Sequence, residues 1–389
     1  MPDGREAISV RIADTFADVD AAAWNACAGP DDPFVSHAFL SALEDSGSAT
    51  ADTGWLGHHL IIEDSKARYL ACAPLYLKNH SYGEYVFDWG WAEAYERAGG
   101  KYFPKLVSAV PFTPASGPRL MTLPGLDAEE AGELRAALAA AMVQIAERLD
   151  VSSVHVNFLP EADWRQLGDM GYLQRQGQQF HWLNDGYETF DDFLATLTSR
   201  KRKNIRKERA RVADAGLDIR ALTGAEITEA HWDAFYRFYR NTSDRKWGSA
   251  YLTRDFFSLL GERCGDAVVL IYAEMDGLPI AGALNVAGSD VLYGRNWGCD
   301  ANFKFLHFEA CYYQAIDYAI QHGLGSVEAG AQGPHKIQRG YLPTPTYSAH
   351  WIADRGLSDA VARFLQDERR GIEHEMAVLT EHSPFRKRE

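Results

Sequence analysis

Ser199-Arg200-Lys201-Arg202-Lys203-Asn204-Ile205-Arg206-Lys207-Glu208-Arg209-Ala210-Arg211 holds eight cations and one anion, a net +7, inside a 389-residue chain of net −15. Proline, glycine and β-branched residues are nearly absent from it. It therefore reads as a helix over 199–212 that Thr198 or Ser199 can cap and that ends before Gly216. At about 100° per residue, Leu194, Leu197, Ile205 and Val212 share a face with Lys201 and Glu208, provided the helix does not break near Thr198. Arg202, Arg206 and Arg209 then line one flank, and Arg200, Lys207 and Arg211 the other. Two flanks of cations suit a polyanion lying along the helix. The plainer reading is a solvated helix that balances acidic neighbours such as Asp191 and Asp192.

The remainder of the chain bounds what that helix serves. Its length suffices for two ordinary domains, and 46% hydrophobic with 24% charged residues is a globular composition. A net −15 argues against DNA binding and leaves room for a local basic patch that holds RNA or a phosphate-bearing ligand. The five cysteines are odd in number and show no C-x-x-C spacing, which excludes a disulfide framework and a zinc site and points to a reducing compartment. The N-terminus carries Asp3, Glu6, Asp14, Asp18 and Asp20 with no apolar core, unlike a signal peptide. No run of 18 apolar residues offers a membrane span. A cytoplasmic protein is expected.

Along the chain one order of elements occurs twice. Residues 8–12 read as a strand. His58 to Ile62 and Tyr69 to Leu77 read as a hairpin, and Tyr85-Val86-Phe87 as a third strand ending in Asp88-Trp89-Gly90-Trp91. A loop rich in Gly and Pro follows, then a helix over Asp127 to Leu149 and a strand over Val151 to Phe158. Gln179 to Leu183 reads as a further strand. In the second half Thr228 to Tyr239 reads as a helix. Ala267 to Met275 and Leu278 to Val286 form a hairpin around Asp276-Gly277, and Val291 to Asn296 a third strand ending in Trp297-Gly298. Phe308 to Gln321 is a helix and Ser326 to Gly330 the strand after it. The repetition predicts an α+β fold of two tandem units, each a mixed central sheet flanked by helices. The first unit is expected over 1–185. The second, over 186–389, contains the basic helix, with a C-terminal helix over 357–380 free to pack on the first unit.

Hairpin, strand, helix, strand, present twice, resembles two tandem acyltransferase units of the Gcn5-related N-acetyltransferase superfamily. The basic stretch followed by Ala215-Gly216-Leu217, with Phe235-Tyr236, Thr242 and Arg245 after it, resembles the segment joining the two units in Fem-type peptidyltransferases. Asp88-Trp89-Gly90-Trp91-Ala92, Val110-Pro111-Phe112-Thr113-Pro114, Glu328-Ala329-Gly330-Ala331-Gln332-Gly333 and His335-Lys336 with Arg339-Gly340-Tyr341 are similar to a bacterial Fem-like group of N-acyltransferases. The resemblance implies transfer of an acyl or aminoacyl group to an amine on a phosphate-bearing or nucleotide-linked acceptor related to cell-wall precursors. The donor is either aminoacyl-tRNA or acyl-CoA, and no permanently bound cofactor is expected. Acetyl-CoA-using members hold the pyrophosphate on a Gly-rich loop. Here that place reads Asn302-Phe303-Lys304-Phe305-Leu306-His307-Phe308, without glycine, which fits a donor other than acetyl-CoA.

Acyl transfer needs a neutral amine, a positioned carbonyl and stabilisation of the developing oxyanion. Glu328 or His335 is the expected base. By the resemblance Lys336 is the cation that neutralises the leaving group. Arg339 with Lys336 is expected to clamp a phosphate, beside Tyr341. Lys201, Arg202 and Arg206 are expected to hold the anionic part of a ligand, and Asp88 and Trp91 to face a cleft of the first unit. No metal is expected, since His58-His59 and His307 lack carboxylates at ligand spacing. The rival reading is a non-catalytic module of the same fold that binds RNA or another polyanion through the basic helix.

Overall fold

The computed structural model describes residues 9–246, 250–301 and 303–386. Asp3, Glu6, residue 8 of the first expected strand and Asn302 lie outside the described residues. The chain forms two compact units, Met1–Gly177 with Thr346–Arg370, and Gln178–Pro345 with Gly371–Glu389.

In the first unit the order is β1 (Ser9–Ala13), α1 (Ala21–Ala28), α2 (His37–Asp45), β2 (Leu56–Gly57), β3 (His59–Glu63), β4 (Tyr69–Ala73) and β5 (Tyr76–Lys78). Then come α3 (Trp89–Arg97), β6 (Lys105–Ser108), β7 (Met121–Thr122), α4 (Ala128–Arg148), β8 (Ser153–Leu159) and α5 (Glu161–Asp169), and β9 (Leu173–Leu183) carries the chain onward. One sheet runs β1-β3-β4-β7, all antiparallel. The other runs β8-β6-β5-β2, with β6 and β8 parallel. A parallel pair needs a crossover, and α4 lies in it. Its Leu134, Leu138, Met142 and Ile145 recur at helical spacing and pack on Leu60, Ile62, Leu106 and Val154. Asp127 caps α4 by accepting from the Glu130 backbone N–H at 2.8 Å.

The third strand of this unit is not Tyr85–Phe87, which is irregular, with Tyr85 at φ 58°. It is β6, inside the stretch expected to be a loop. Its pattern is hidden because Lys105 points inward, fully buried. The Lys105 ammonium donates to Glu84 at 2.8 Å, Asp88 at 2.5 Å and Ser81 at 2.8 Å. Tyr102 also donates to Asp88, at 2.7 Å. Burial alone would push the Asp88 carboxyl up, but the Lys105 charge overrides it and holds the group well below the usual carboxylate range. Asp88 is thus a buried counter-ion rather than a cleft residue. Trp91, 6% exposed, is core as well, packed with Tyr102, Ile352, Leu357, Val361 and Leu365.

In the second unit the order is α6 (Phe190–Thr196), α7 (Ser199–Ala213), β10 (Asp218–Thr223), α8 (Glu229–Lys246), α9 (Arg254–Cys264), β11 (Val268–Met275), β12 (Leu278–Ala287) and β13 (Val291–Cys299). Next come α10 (Leu306–Phe308), a π-helical turn (Glu309–Tyr313), α11 (Gln314–Gln321), β14 (Ser326–Glu328) and a 3-10 turn (Pro334–Arg339). Its sheet runs β10-β11-β12-β13-β14-β9 and is antiparallel except for β13 with β14. The β11–β12 hairpin turns on Asp276 and Gly277, both at positive φ, as a two-residue turn requires. Then β15 (Leu342–Ile352) and α12 (Arg355–Glu381) complete the chain. Tyr347–Ile352 of β15 pair antiparallel with β8 in the first unit, where Leu357, Val361 and Leu365 of α12 are also buried.

The basic helix does not extend back through Leu194. Leu197 and Thr198 are both extended, because the Thr198 N–H donates to Pro384 O and the Arg386 N–H to Thr196 O, each at 2.9 Å. The face shared with Leu194 and Leu197 therefore fails, while Ile205 and Val212 are buried as the phase requires.

In the first unit His155 and His350 meet Nδ1 to Nδ1 at 2.7 Å, with Ser153 and Ser348 on their outer nitrogens. Burial pulls His155 down to about 3 and His350 well below its ordinary value. Below pH ~6.5 the unfolded chain takes up protons that this pair refuses, so stability must fall as pH drops from ~6.5 toward ~4. Each histidine contributes a slope of up to about 1.4 kcal/mol per pH unit. Urea unfolding at pH 7 and 5.5 should show this loss, and His155→Gln should reduce it by close to one proton.

Candidate active site

β13 and β14 pair through Val291–Ser326, Leu292–Val327 and Tyr293–Glu328 and then part. Beyond that point β13 continues against β12 up to Cys299. Ala329 and Gly330 turn instead to β9: the Ala329 N–H donates to Phe180 O at 3.0 Å and the Phe180 N–H to Gly330 O at 3.1 Å. Gly294 sits at the parting, where an added Cβ would come within 3.1 Å of Glu328 O.

Lys336 closes this point. Its ammonium donates to Ala329 O at 2.5 Å and Gly330 O at 3.0 Å, and the residue is 4% exposed. Glu328 is 8% exposed and sits opposite His181 in the β14–β9 register. The His181 Nε2 lies 3.8 Å from Glu328 Oε1. Burial, assisted by the Lys336 charge, brings His181 down to about 4, so its imidazole is neutral at pH 7. His335 accepts or donates at 3.0 Å with the Tyr312 hydroxyl. Its ring rests against Phe308, with centroids 5.4 Å apart. Burial, then Arg339 and Lys336, lower its pKa too. Gly333 lies beneath that ring at φ 102°, a backbone conformation that strains any other residue, and a Cβ there would lie 2.3 Å from the ring unless the ring moved. One end of β14 thus gathers a carboxylate, an ammonium and a neutral imidazole, and the turn bearing the ammonium carries a second neutral imidazole. These are the groups needed to accept a proton and to offset a developing negative charge.

Arg339 does something other than clamp a phosphate. Its Nη2 donates to both oxygens of Glu208 at 3.0 and 2.8 Å, and its Nη1 donates to His335 O at 2.8 Å. The guanidinium also lies 3.4 Å over the Phe308 ring. At 5% exposure it is a strut between α7 and the 3-10 turn. The Tyr313 hydroxyl also donates to Glu208. Tyr341 is fully buried, and its hydroxyl donates to Tyr312 O at 3.1 Å, so it presents nothing to a ligand.

The basic helix is sorted by partner. Arg209 turns inward to Glu309 at 3.0 Å and Asp317 at 2.6 Å, so the expected Arg202–Arg206–Arg209 flank is not an open one. Arg206 pairs with Asp191 at 2.8 Å on the surface. Lys201 and Arg202 are half-buried, and Arg200, Lys203, Lys207 and Arg211 are exposed. Among the described residues none of these six is in an ion pair. The structure therefore ties Glu328, His335 and Lys336 to one strand end and its turn, joins α7 to that turn through Arg339, and leaves Asp88 and Trp91 in the core of the first unit. His181 is the residue the sequence reading missed. No spacing links it to Glu328; the β-sheet register does.

The sequence model of the FemAB-like family, described as peptidoglycan biosynthesis/recognition, matches residues 15–387. The chain belongs to the FemAB-like family. Among curated proteins no sequence matches this FemAB-like chain. Its structure is similar to the crystal structure of FemX, with 12% identity, 87% of this chain and 96% of that one covered, and a TM-score of 0.54. It is also similar to the C-terminal domain of a putative lysylphosphatidylglycerol synthetase from Agrobacterium fabrum, with 11% identity, 91% and 97% covered and a TM-score of 0.55. A tandem Gcn5-related N-acetyltransferase protein of the clavulanic acid biosynthesis pathway matches with 11% identity, 90% and 99% covered and a TM-score of 0.50. At these identities the likeness is one of fold, and it establishes the α+β architecture of two tandem acyltransferase-like units. Among the described residues of this FemAB-like chain no helix is long and apolar enough to cross a membrane.

Glu208→Gln keeps the shape of the strut and removes its charge, leaving Arg339 buried without a counter-ion. A loss of about 3 kcal/mol in urea unfolding is expected, against less than about 0.5 kcal/mol for Arg206→Gln in its exposed pair.

Proposed function

We propose that this FemAB-like protein is an N-acyltransferase that moves an aminoacyl group from an ester donor to an amine of a phosphate-bearing or nucleotide-linked acceptor of the cell-wall precursor type. The observation that carries this reading is the Lys336 ammonium fixed on the Ala329 and Gly330 carbonyls, at the end of the strand that carries Glu328, where β13 and β14 part. In the proposed step the neutral amine attacks the ester carbonyl. The tetrahedral oxyanion and the departing oxygen are stabilised by Lys336, and a proton passes from the amine to a base of the site.

Two features favour aminoacyl-tRNA over acyl-CoA as donor. From Phe303 to Phe308 every residue carries a side chain, and Phe305 in left-handed conformation precedes α10, so no glycine cradle offers its N–H groups to a pyrophosphate. The exposed cations of α7 supply what a nucleic-acid backbone needs: Arg200, Lys203, Lys207 and Arg211 recur at helical spacing along one solvated side. Those same cations support the rival reading of a non-catalytic polyanion-binding module.

The test is transfer by the purified full chain from aminoacyl-tRNA, and separately from acyl-CoA, to a nucleotide-linked muropeptide amine. Turnover is expected with the first donor only. Lys336→Met should cut kcat by about 10²–10³-fold. Full activity of that variant, or no turnover with either donor, would remove the reading. The quadruple change Arg200→Gln, Lys203→Gln, Lys207→Gln and Arg211→Gln should raise the donor KM and flatten its salt dependence by up to about three units of log–log slope, with kcat at saturating donor unchanged. If Lys336→Met leaves RNA affinity intact while turnover is absent throughout, the binding module is the better description.

A further inference from the structure

We propose that His181 Nε2 and Glu328 Oε1 together seat the primary amine of the acceptor, and that His181 takes the proton the amine must lose before attack. This rests on the transferase reading above for its catalytic half; the seat itself does not.

The geometry comes first. His181 and Glu328 are register partners across β9 and β14, at the last residue where β14 still pairs with β13. The two acceptor atoms are 3.8 Å apart, beyond a hydrogen bond. His181 Nε2 is sealed from solvent and has no hydrogen-bond partner among the described residues. Buried polar atoms are nearly always satisfied, and the exceptions call for a reason. A nitrogen about 2.9 Å from each atom would span the gap with an angle of about 80° and could donate one N–H to each. A primary ammonium fits this requirement. A quaternary one has no N–H to give.

The charged groups that the structure sets against the ring are Glu328 on β14 and Lys336 on the 3-10 turn. Burial and Lys336 keep the ring neutral, so Nε2 is an acceptor when the proton sits on Nδ1. The proton count then closes. The incoming R–NH3⁺ gives one proton to His181 Nε2. Its lone pair forms the bond to the ester carbonyl carbon. The carbon–oxygen bond of the ester breaks, and a second amine proton leaves with the departing oxygen as a hydroxyl. The His181 proton returns to solvent. Negative charge arriving beside Lys336 offsets the repulsion that disfavours imidazolium, so His181 becomes a better base as the donor binds.

The experiment has two arms on the full chain. In the first, the ring signals of isotopically labelled His181 are followed by NMR against pH, with His181→Asn to assign them. The imidazole should stay neutral down to about pH 4, and Lys336→Met should move its midpoint upward. Ethylammonium chloride should perturb the signals, and tetramethylammonium chloride at equal concentration should not. A midpoint near 6.5 that ignores Lys336→Met, or identical responses to the two cations, overturns the seat whether or not the protein is a transferase. In the second arm, His181→Gln should lower kcat by about 10²-fold or more with the donor KM unchanged, and should flatten the acid limb of the pH–rate profile. Wild-type turnover by His181→Gln would overturn the catalytic half and leave the transferase reading standing.

Discussion

The parting of β13 and β14 is the constraint on which the second unit depends. Two parallel strands joined through a helical crossover must hold each other long enough to fix a register, and here three residue pairs do so. After Glu328 the chain abandons β13 for β9, and the carbonyls of Ala329 and Gly330 turn toward Lys336. Glu328 itself is held by its neighbours on both sides, Tyr293 in β13 and His181 in β9. The ionisable groups at this strand end are therefore placed by backbone hydrogen bonds, which rigidify them more than a surface loop would.

Charge in α7 is divided by the same logic that governs any partly buried ion. Glu208 and Arg209 face inward and each meets a complementary group, Arg339 for the first and Glu309 with Asp317 for the second. The cations that face water need no partner there, because solvent screens them. The helix is thus anchored by Glu208 and Arg209 together with the buried Ile205 and Val212, and presents Arg200, Lys203, Lys207 and Arg211 to water. In the first unit the lysine in β6 follows the harsher version of the rule. Lys105 is fully buried, so Glu84, Asp88 and Ser81 surround it.

What could be read from the residues alone follows from this division. The α4 helix, the Asp276-Gly277 hairpin and the basic helix all rest on local periodicity or turn chemistry, and all three are present, whereas the doubled order holds in the first unit only with β6 in place of Tyr85–Phe87. β6 was invisible because an inward lysine imitates a solvated one when only its type is known. Arg339, Tyr341, Asp88 and Trp91 were credited with ligand contacts for the same reason: composition reports a charge or a ring, while its partner lies far away in sequence. Arg339 and Glu208 are 131 residues apart. Phase through Leu194 failed at Thr198 because a backbone hydrogen bond from a segment near residue 384 set the break. His181 belongs to this class as well, since strand register, not motif, brings it to Glu328.

The π-helical turn at Glu309–Tyr313 bears on how this fold tolerates change in length. A π turn holds one residue more than the α-helix around it. Phe308, just before the turn, lies under the Arg339 guanidinium, while Tyr312 joins Ile316, Ala319 and Ile320 of α11 in the core. Loss of a single residue here would restore ordinary winding and swing everything on one side of the turn by about 100°. Either Phe308 or the apolar stripe would keep its direction, and not both. The extra residue is what allows one continuous rod to serve the faces before and after it, and a gap at this position in a related chain would mark a protein whose buried arginine has lost the ring beneath it.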